Sequence, residues 1–169
     1  MLSLPRLVCR FSPLAIVCAI AGAETQSLAA TATGTFASRI VIQAECQVVT
    51  TNTLDFGTTG VLLTNVDQTA TFQVQCTNTT TYNIGLNAGT TSGGTTATRK
   101  MTSGSATIDY KLFSDSARTT NWGNAVGTDT VSGTGSGSAS TYTIYGRVIA
   151  QTTPAPATYT DTVTITVTY

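Results

Sequence analysis

Apolar and polar side chains alternate over several separate stretches of this chain, and the last stretch is the most regular. Val163, Ile165, Val167 and Tyr169 are apolar, and threonine fills every position between them. Successive residues of a strand point to opposite faces, so this pattern predicts a strand with one face in a core and one in water. The sequence stops on it, and an unpaired strand edge invites pairing with another chain. A neighbour for that edge is expected, from within the chain or from outside it.

Shorter alternating stretches precede it. Ala70, Phe72, Val74 and Cys76 form one; Tyr82, Ile84, Leu86 and Ala88 another; Ala106, Ile108, Tyr110 and Leu112 a third; Tyr142, Ile144, Gly146 and Val148 a fourth. The intervening segments read as turns and loops. Among them are Asn78–Thr81, the glycine/threonine stretch Gly89–Thr98, Arg118–Gly123 with the single tryptophan Trp122, and Thr153–Pro156. Ser132–Ser140 (SGTGSGSAS) reads as a long hairpin loop. No useful helical period follows the N-terminal region, so the fold class is all-β, a sandwich or barrel.

One run is too long for such a fold. Phe36, Ser38, Ile40, Ile42, Ala44, Cys46 and Val48 share a face, opposite the mixed face of Ala37, Arg39, Val41, Gln43, Glu45 and Gln47. About thirteen residues at ~3.3 Å each span roughly 40 Å, more than a small sandwich is tall. Either the run bends into two strands, or its first part lies on another molecule.

Composition agrees with the pattern. The 169 residues suit one domain with a real core. Threonine, 38 residues, favours half-buried pleated surfaces and leaves solvent-facing strands uncharged. Charged residues are only 9% and their net charge is zero, with no basic stripe to neutralise phosphates, which excludes a nucleic-acid binder.

Residues 1–23 read as a secretory signal: Arg6 and Arg10, then the apolar Leu14–Ala21, then Ala21-Gly22-Ala23 as a cleavage site, with a second candidate cut after Ala29. The apolar stretch falls far short of the ~20 residues that span a bilayer. Cys18 raises a lipoprotein alternative, which Val17 disfavours. Export leaves Cys46 and Cys76 in an oxidising compartment, and the natural reading is a disulfide between them.

Catalytic chemistry has little to work with. The chain holds no histidine, its acids are scattered singly, and no serine sits in a G-x-S-x-G elbow. Each acid, Asp161 included, reads as solvated or turn-capping. No enzyme activity, metal site or cofactor is expected. Asn78-Thr79-Thr80 matches a glycosylation sequon but reads as turn chemistry.

Several of these stretches fall in a telling order: the run into Cys46, Leu54-Asp55-Phe56-Gly57, Phe72–Thr77, Tyr82–Gly89, Arg99-Lys100-Met101, Ile108–Asp115, Asn121-Trp122-Gly123, Ile144–Val148 and the closing strand. From about Gly34 to Tyr169 the chain resembles the spore coat protein U domain family, whose members include subunits of archaic (Csu-type) chaperone–usher pili. The resemblance implies an incomplete immunoglobulin-like β-sandwich completed by a donor strand from a neighbouring subunit. A periplasmic chaperone would fill the open groove first, and at an outer-membrane usher the next subunit's N-terminal extension would replace it. Identical or related subunits would then form a head-to-tail polymer at the cell surface, supporting adhesion and biofilm formation.

By position, residues 24–44 would be the N-terminal extension and 45–169 the sandwich. Thr33–Ala44 would be the donor segment, with Phe36, Ser38, Ile40 and Ile42 filling the groove. Val163, Ile165, Val167 and Tyr169 would line the acceptor edge. Two alternatives stand beside this: a secreted spore or cell-surface coat protein, and a standalone sandwich that binds a glycan or surface through loops near Trp122 or Gly133–Gly137.

Overall fold

A computed structural model describes residues 29–169. The export signal read at 1–23 lies outside the described residues. Residues 29–39 form a unit separate from Ile40–Tyr169. They hold no regular secondary structure and are exposed throughout, Phe36 at 91%.

The unit from Ile40 onward is all-β. Its strands are β1 (Cys46–Thr51), β2 (Val66–Cys76), β3 (Thr81–Leu86), β4 (Arg99–Ser103), β5 (Ala106–Phe113), β6 (Val131–Thr134), β7 (Ala139–Val148) and β8 (Ile165–Thr168). They form a five-stranded sheet, order β1-β2-β7-β5-β4, and a three-stranded sheet, order β6-β3-β8, with every pairing antiparallel.

The alternating stretches supply the core as expected. Phe72 and Val74 of β2, Tyr82, Ile84 and Leu86 of β3, Tyr110 and Leu112 of β5, and Val148 of β7 are buried between the sheets. Burying a side chain of this size stabilises by roughly 1.5–3 kcal/mol. Phe72 sits between two aromatic rings, Trp122 at 5.8 Å and Tyr142 at 5.7 Å between centroids. Leu54 and Phe56 close one end of the core by packing over Gly146, where a Cβ would meet Leu54 at 2.6 Å and Phe56 at 2.9 Å.

Ser132–Ser140 departs from the hairpin-loop reading. Its first part is β6, paired with β3, and its last part opens β7 in the other sheet. A Cβ on Gly133 would lie 2.6 Å from the Tyr82 ring and 2.7 Å from the Tyr142 hydroxyl. Gly133 is therefore bare to admit the Tyr82–Tyr142 hydroxyl contact at 2.7 Å. Composition reads this stretch as a hairpin loop because its reason for glycine is a packing demand made by side chains outside the stretch.

Of the long N-terminal run, only its end joins the sandwich. Among the described residues the chain is first tied down at Glu45, whose N–H donates to Thr77 Oγ1 (3.1 Å) and whose carbonyl accepts from the Thr77 N–H (2.9 Å). β1 then follows, and Cys46 and Cys76, directly opposite in register, form a disulfide. Ile40, Val41 and Ile42, just before it, have no strand partner and are exposed, Ile40 at 82% and Ile42 at 73%.

Candidate functional site

Of the four strands that end the two sheets, β1, β4, β6 and β8, two bring their free edges together. β8 pairs with β3 on one side and, among the described residues, with nothing on the other. β1 likewise ends the five-stranded sheet, paired with β2 alone. The two strands come together across the sandwich, so their free edges border one groove. Val163, Ile165 and Val167 pack against the core yet stay half-exposed along it. Tyr169 lies beyond β8 and is exposed.

The groove has a direction. β3 starts at Thr81, just past the Cys76 end of β2, and β8 runs antiparallel to it, so β8 heads toward the Cys76 end. β1 starts at that same end and runs away from it.

The segment that leads into the closing strand serves the other sheet first. Thr160 bridges to Thr102 at the edge of β4, with N···O distances of 2.9 and 3.1 Å, so it belongs beside the five-stranded sheet. By Thr164 the chain bonds to Asn87, and from Ile165 it pairs with β3 in the other sheet. The crossing happens at Asp161. Its Oδ1 accepts from the Thr90 and Thr91 N–H groups (2.9 and 3.1 Å) and from both their hydroxyls, and its Oδ2 accepts from the Tyr110 hydroxyl at 2.7 Å. Asp161 is thus the pin of the sheet switch, where its sequence position suggests a solvated or turn-capping acid.

Burial, the largest single influence, pushes the Asp161 carboxyl upward. The hydrogen bonds from Tyr110 and from the Thr91, Thr162 and Thr90 N–H groups together outweigh it, and the carboxyl sits below its usual range. Burial and the same carboxylate push the Tyr110 hydroxyl far up, so it stays a donor. A carboxyl depressed in the folded state contributes stability above its unfolded pKa, near 4, and loses it as pH falls below that. Asp67, lowered first by its hydrogen bond from Arg147, acts in the same sense. We expect Asp161→Asn to lower stability at pH 7 by roughly 1.5–3 kcal/mol and to reduce the further loss below about pH 4. Urea unfolding at pH 7 and pH 3 checks this; equal losses on acidification for both proteins would count against it.

A second polar anchor is Arg99, at 0% exposure the one buried charged side chain of the described core. It donates to the carbonyls of Asn87, Thr96, Leu86 and Trp122 at 2.7–2.8 Å. Burial lowers its pKa, opposed by the fields of Tyr110, Asp161 and Asp129. Four carbonyls, that of Leu86 at the end of β3 and three from loops, thereby find donors, which a buried backbone requires. The Leu86 and Asn87 carbonyls it holds lie at the end of β3, where the pairing with β8 begins.

Trp122 does not form an exposed aromatic platform. It is 1% exposed, packs on Phe72, and its indole N–H donates to the Ile84 carbonyl at 2.9 Å. The glycan-binding alternative loses its aromatic.

The described residues can also be placed among known proteins. The model of the family described as Spore Coat Protein U domain matches residues 32–166. No curated protein matches. Among solved structures, the chain is similar to one in the crystal structure of the CsuC–CsuE chaperone–tip adhesion subunit pre-assembly complex, from archaic chaperone–usher Csu pili of Acinetobacter baumannii. The match has 26% identity and a TM-score of 0.53, and it covers 76% of this chain and 40% of that one. The present chain therefore spans well under half the length of the chain it matches. Together with the antiparallel two-sheet architecture, this makes the fold an immunoglobulin-like β-sandwich. The chain belongs to the spore coat protein U domain family.

Proposed function

We propose that the protein is a structural subunit of a surface fibre built by the chaperone–usher pathway. Residues 1–23 direct export, and 24–44 form an extension that acts as donor strand for a neighbouring copy or a related subunit. A periplasmic chaperone covers the groove until an outer-membrane usher exchanges it for that strand. The finished pilus reaches the cell surface, where adhesion and biofilm formation follow from it. The role is structural, not catalytic.

The observation that carries this reading is the groove between β1 and β8. Two open edges flank a half-exposed apolar row, while Phe36, Ile40 and Ile42 stand exposed in a segment without strand partners. Each series, Phe36–Ile42 and Val163–Tyr169, spans seven residues and presents four alternate side chains. Burying Phe36, Ile40 and Ile42 would stabilise by roughly 1.5–3 kcal/mol each, and each ladder bond adds roughly 0.5–1.5 kcal/mol. The contact is head-to-tail and does not close on itself, so its product is a filament.

Deleting residues 24–44 tests the assignment. The deletion variant should be a monomer by light scattering and should bind a peptide spanning Thr33–Ala44. A folded deletion variant that still polymerises sinks the donor assignment.

A further inference from the structure

We infer that the end of the sandwich carrying Val61 and Leu63 is a docking face for the body of a second copy, seated beside the donor junction. The inference rests on the subunit reading above. Most of the large apolar side chains exposed among the described residues already have a place in that reading: Phe36, Ile40, Val41 and Ile42 on the extension, Val48 and Val49 on β1, Tyr169 beyond β8. Val61 (66% exposed), Leu63 (80%) and Val126 are left over. Val61 and Leu63 lie on the chain entering β2, at the end far from Cys76. They flank Leu62, which is buried in the core.

This stretch is already rigid. The Leu62 N–H donates to Thr153 Oγ1 (2.8 Å), its carbonyl accepts from the Gln151 N–H (3.0 Å), and the Ala150 N–H donates to Asn65 Oδ1 (3.0 Å). Two apolar side chains are thus presented outward with little left to order on binding, which lowers the cost of association.

Strand direction says what arrives there. Every ladder among the described residues is antiparallel, and the half-exposed apolar row that a donor would cover belongs to β8 and the residues leading into it. A donor added to β8 in the same sense runs away from the Cys76 end, so its Ile42 finishes beside Val163, at the Val61–Leu63 end. Only Gln43, Ala44 and Glu45 then remain before the donor's own Cys46. Three residues reach at most about 11 Å. The donor copy's body is therefore held against the recipient's far end, and the part of it that faces the junction is the Glu45–Thr77 tie and the turn at Asn78–Thr80. Val61 and Leu63 of the recipient are the apolar contact for that surface.

The test replaces Leu63, in the full chain, with the photo-cross-linker benzoylphenylalanine, and irradiates monomer and polymer. Polymer is scored as a boiling-sensitive ladder on a denaturing gel. Cross-links mapping to residues 40–47 or 76–80 of an adjacent copy are expected in polymer, at least tenfold above monomer. The same probe at Ser116, an exposed position in another loop, should give none. Should Leu63 prove sensitive to replacement, the probe at Val61 is expected to map to the same segments. A normal ladder without those cross-links from either position overturns the docking face and leaves the donor reading standing. Absence of any ladder from the unmodified chain overturns both.

Discussion

Replacing Ile40 with aspartate is expected to abolish polymer while leaving the sandwich as stable as before. Ile40 is 82% exposed and makes no strand pairing, so the isolated subunit has little to lose. In the groove the same position would face the half-buried row of Val163, Ile165 and Val167. There the change removes a buried aliphatic side chain, roughly 1.5–3 kcal/mol, and puts a carboxylate where no cation waits for it. Removing a charge from water without a partner costs several kcal/mol more. Together these weaken the junction by more than about a thousandfold. Chaperone binding should persist, because a chaperone would fill the groove from outside and does not use Ile40. The checks are the ladder on a denaturing gel, a thermal melt of the monomer, and co-purification with the chaperone. A ladder of normal intensity removes Ile40 from the donor register; loss of chaperone binding contradicts this division of labour.

Where the alternating pattern was carried by large apolar residues, it was a sound guide. β2, β3, β5 and β7 stand where Phe72, Ile84, Tyr110 and Val148 led them to be sought. β4 and β6 were not legible as strands. β6 is Val-Ser-Gly-Thr, and its glycine exists to admit Tyr82 and Tyr142, contacts that cross 51 and 9 residues of sequence. β4 opens on Arg99, and an arginine at a core position reads as surface until four carbonyls converge on it. The closing strand misled in a different way. Threonine alternation continues unbroken from Tyr159 to Tyr169, but hydrogen bonds to Asp161 turn the backbone from one sheet to the other halfway along. Period alone cannot reveal which sheet a residue serves.

The candidate groove was legible for a reason of its own. What marks it is a lack: β8 keeps a free edge and Phe36–Ile42 has no strand partner, and a missing partner leaves an apolar series with nowhere to go. The length of the N-terminal run, more than the sandwich can hold, was that signal. The structure adds what length could not supply. The run divides at Glu45, where the Thr77 bonds begin, and the described residues before that tie are free of strand pairing.

That tie is also where the disulfide sits, and removing the disulfide should have the largest effect on the fold itself. Cys46 and Cys76 are 30 residues apart, and constraining a loop of that size in the unfolded chain is worth about 3.7 kcal/mol in the chain-entropy account. The Cys46→Ser/Cys76→Ser double variant should therefore melt roughly 10–20 °C lower. The loss should also be felt unevenly. β1 is an edge strand of six residues with a bulge between Val48 and Thr50, and it hangs on β2 alone. β2, by contrast, is the longest strand and lies between two neighbours. Any pull on the extension reaches the sandwich at Glu45, and with the disulfide present it passes directly to β2 at Cys76. Without it, the load falls on the end of a ladder whose bonds can open one at a time. Hydrogen exchange should accordingly show β1 amides losing protection first in the double variant, with β2 and β7 changed only by the global loss. In polymer, the force that parts one subunit should fall on treatment with a reducing agent that reaches the bond. Unchanged β1 protection alongside a lowered melting temperature would confine the disulfide to an entropic role and remove it from the path of tension.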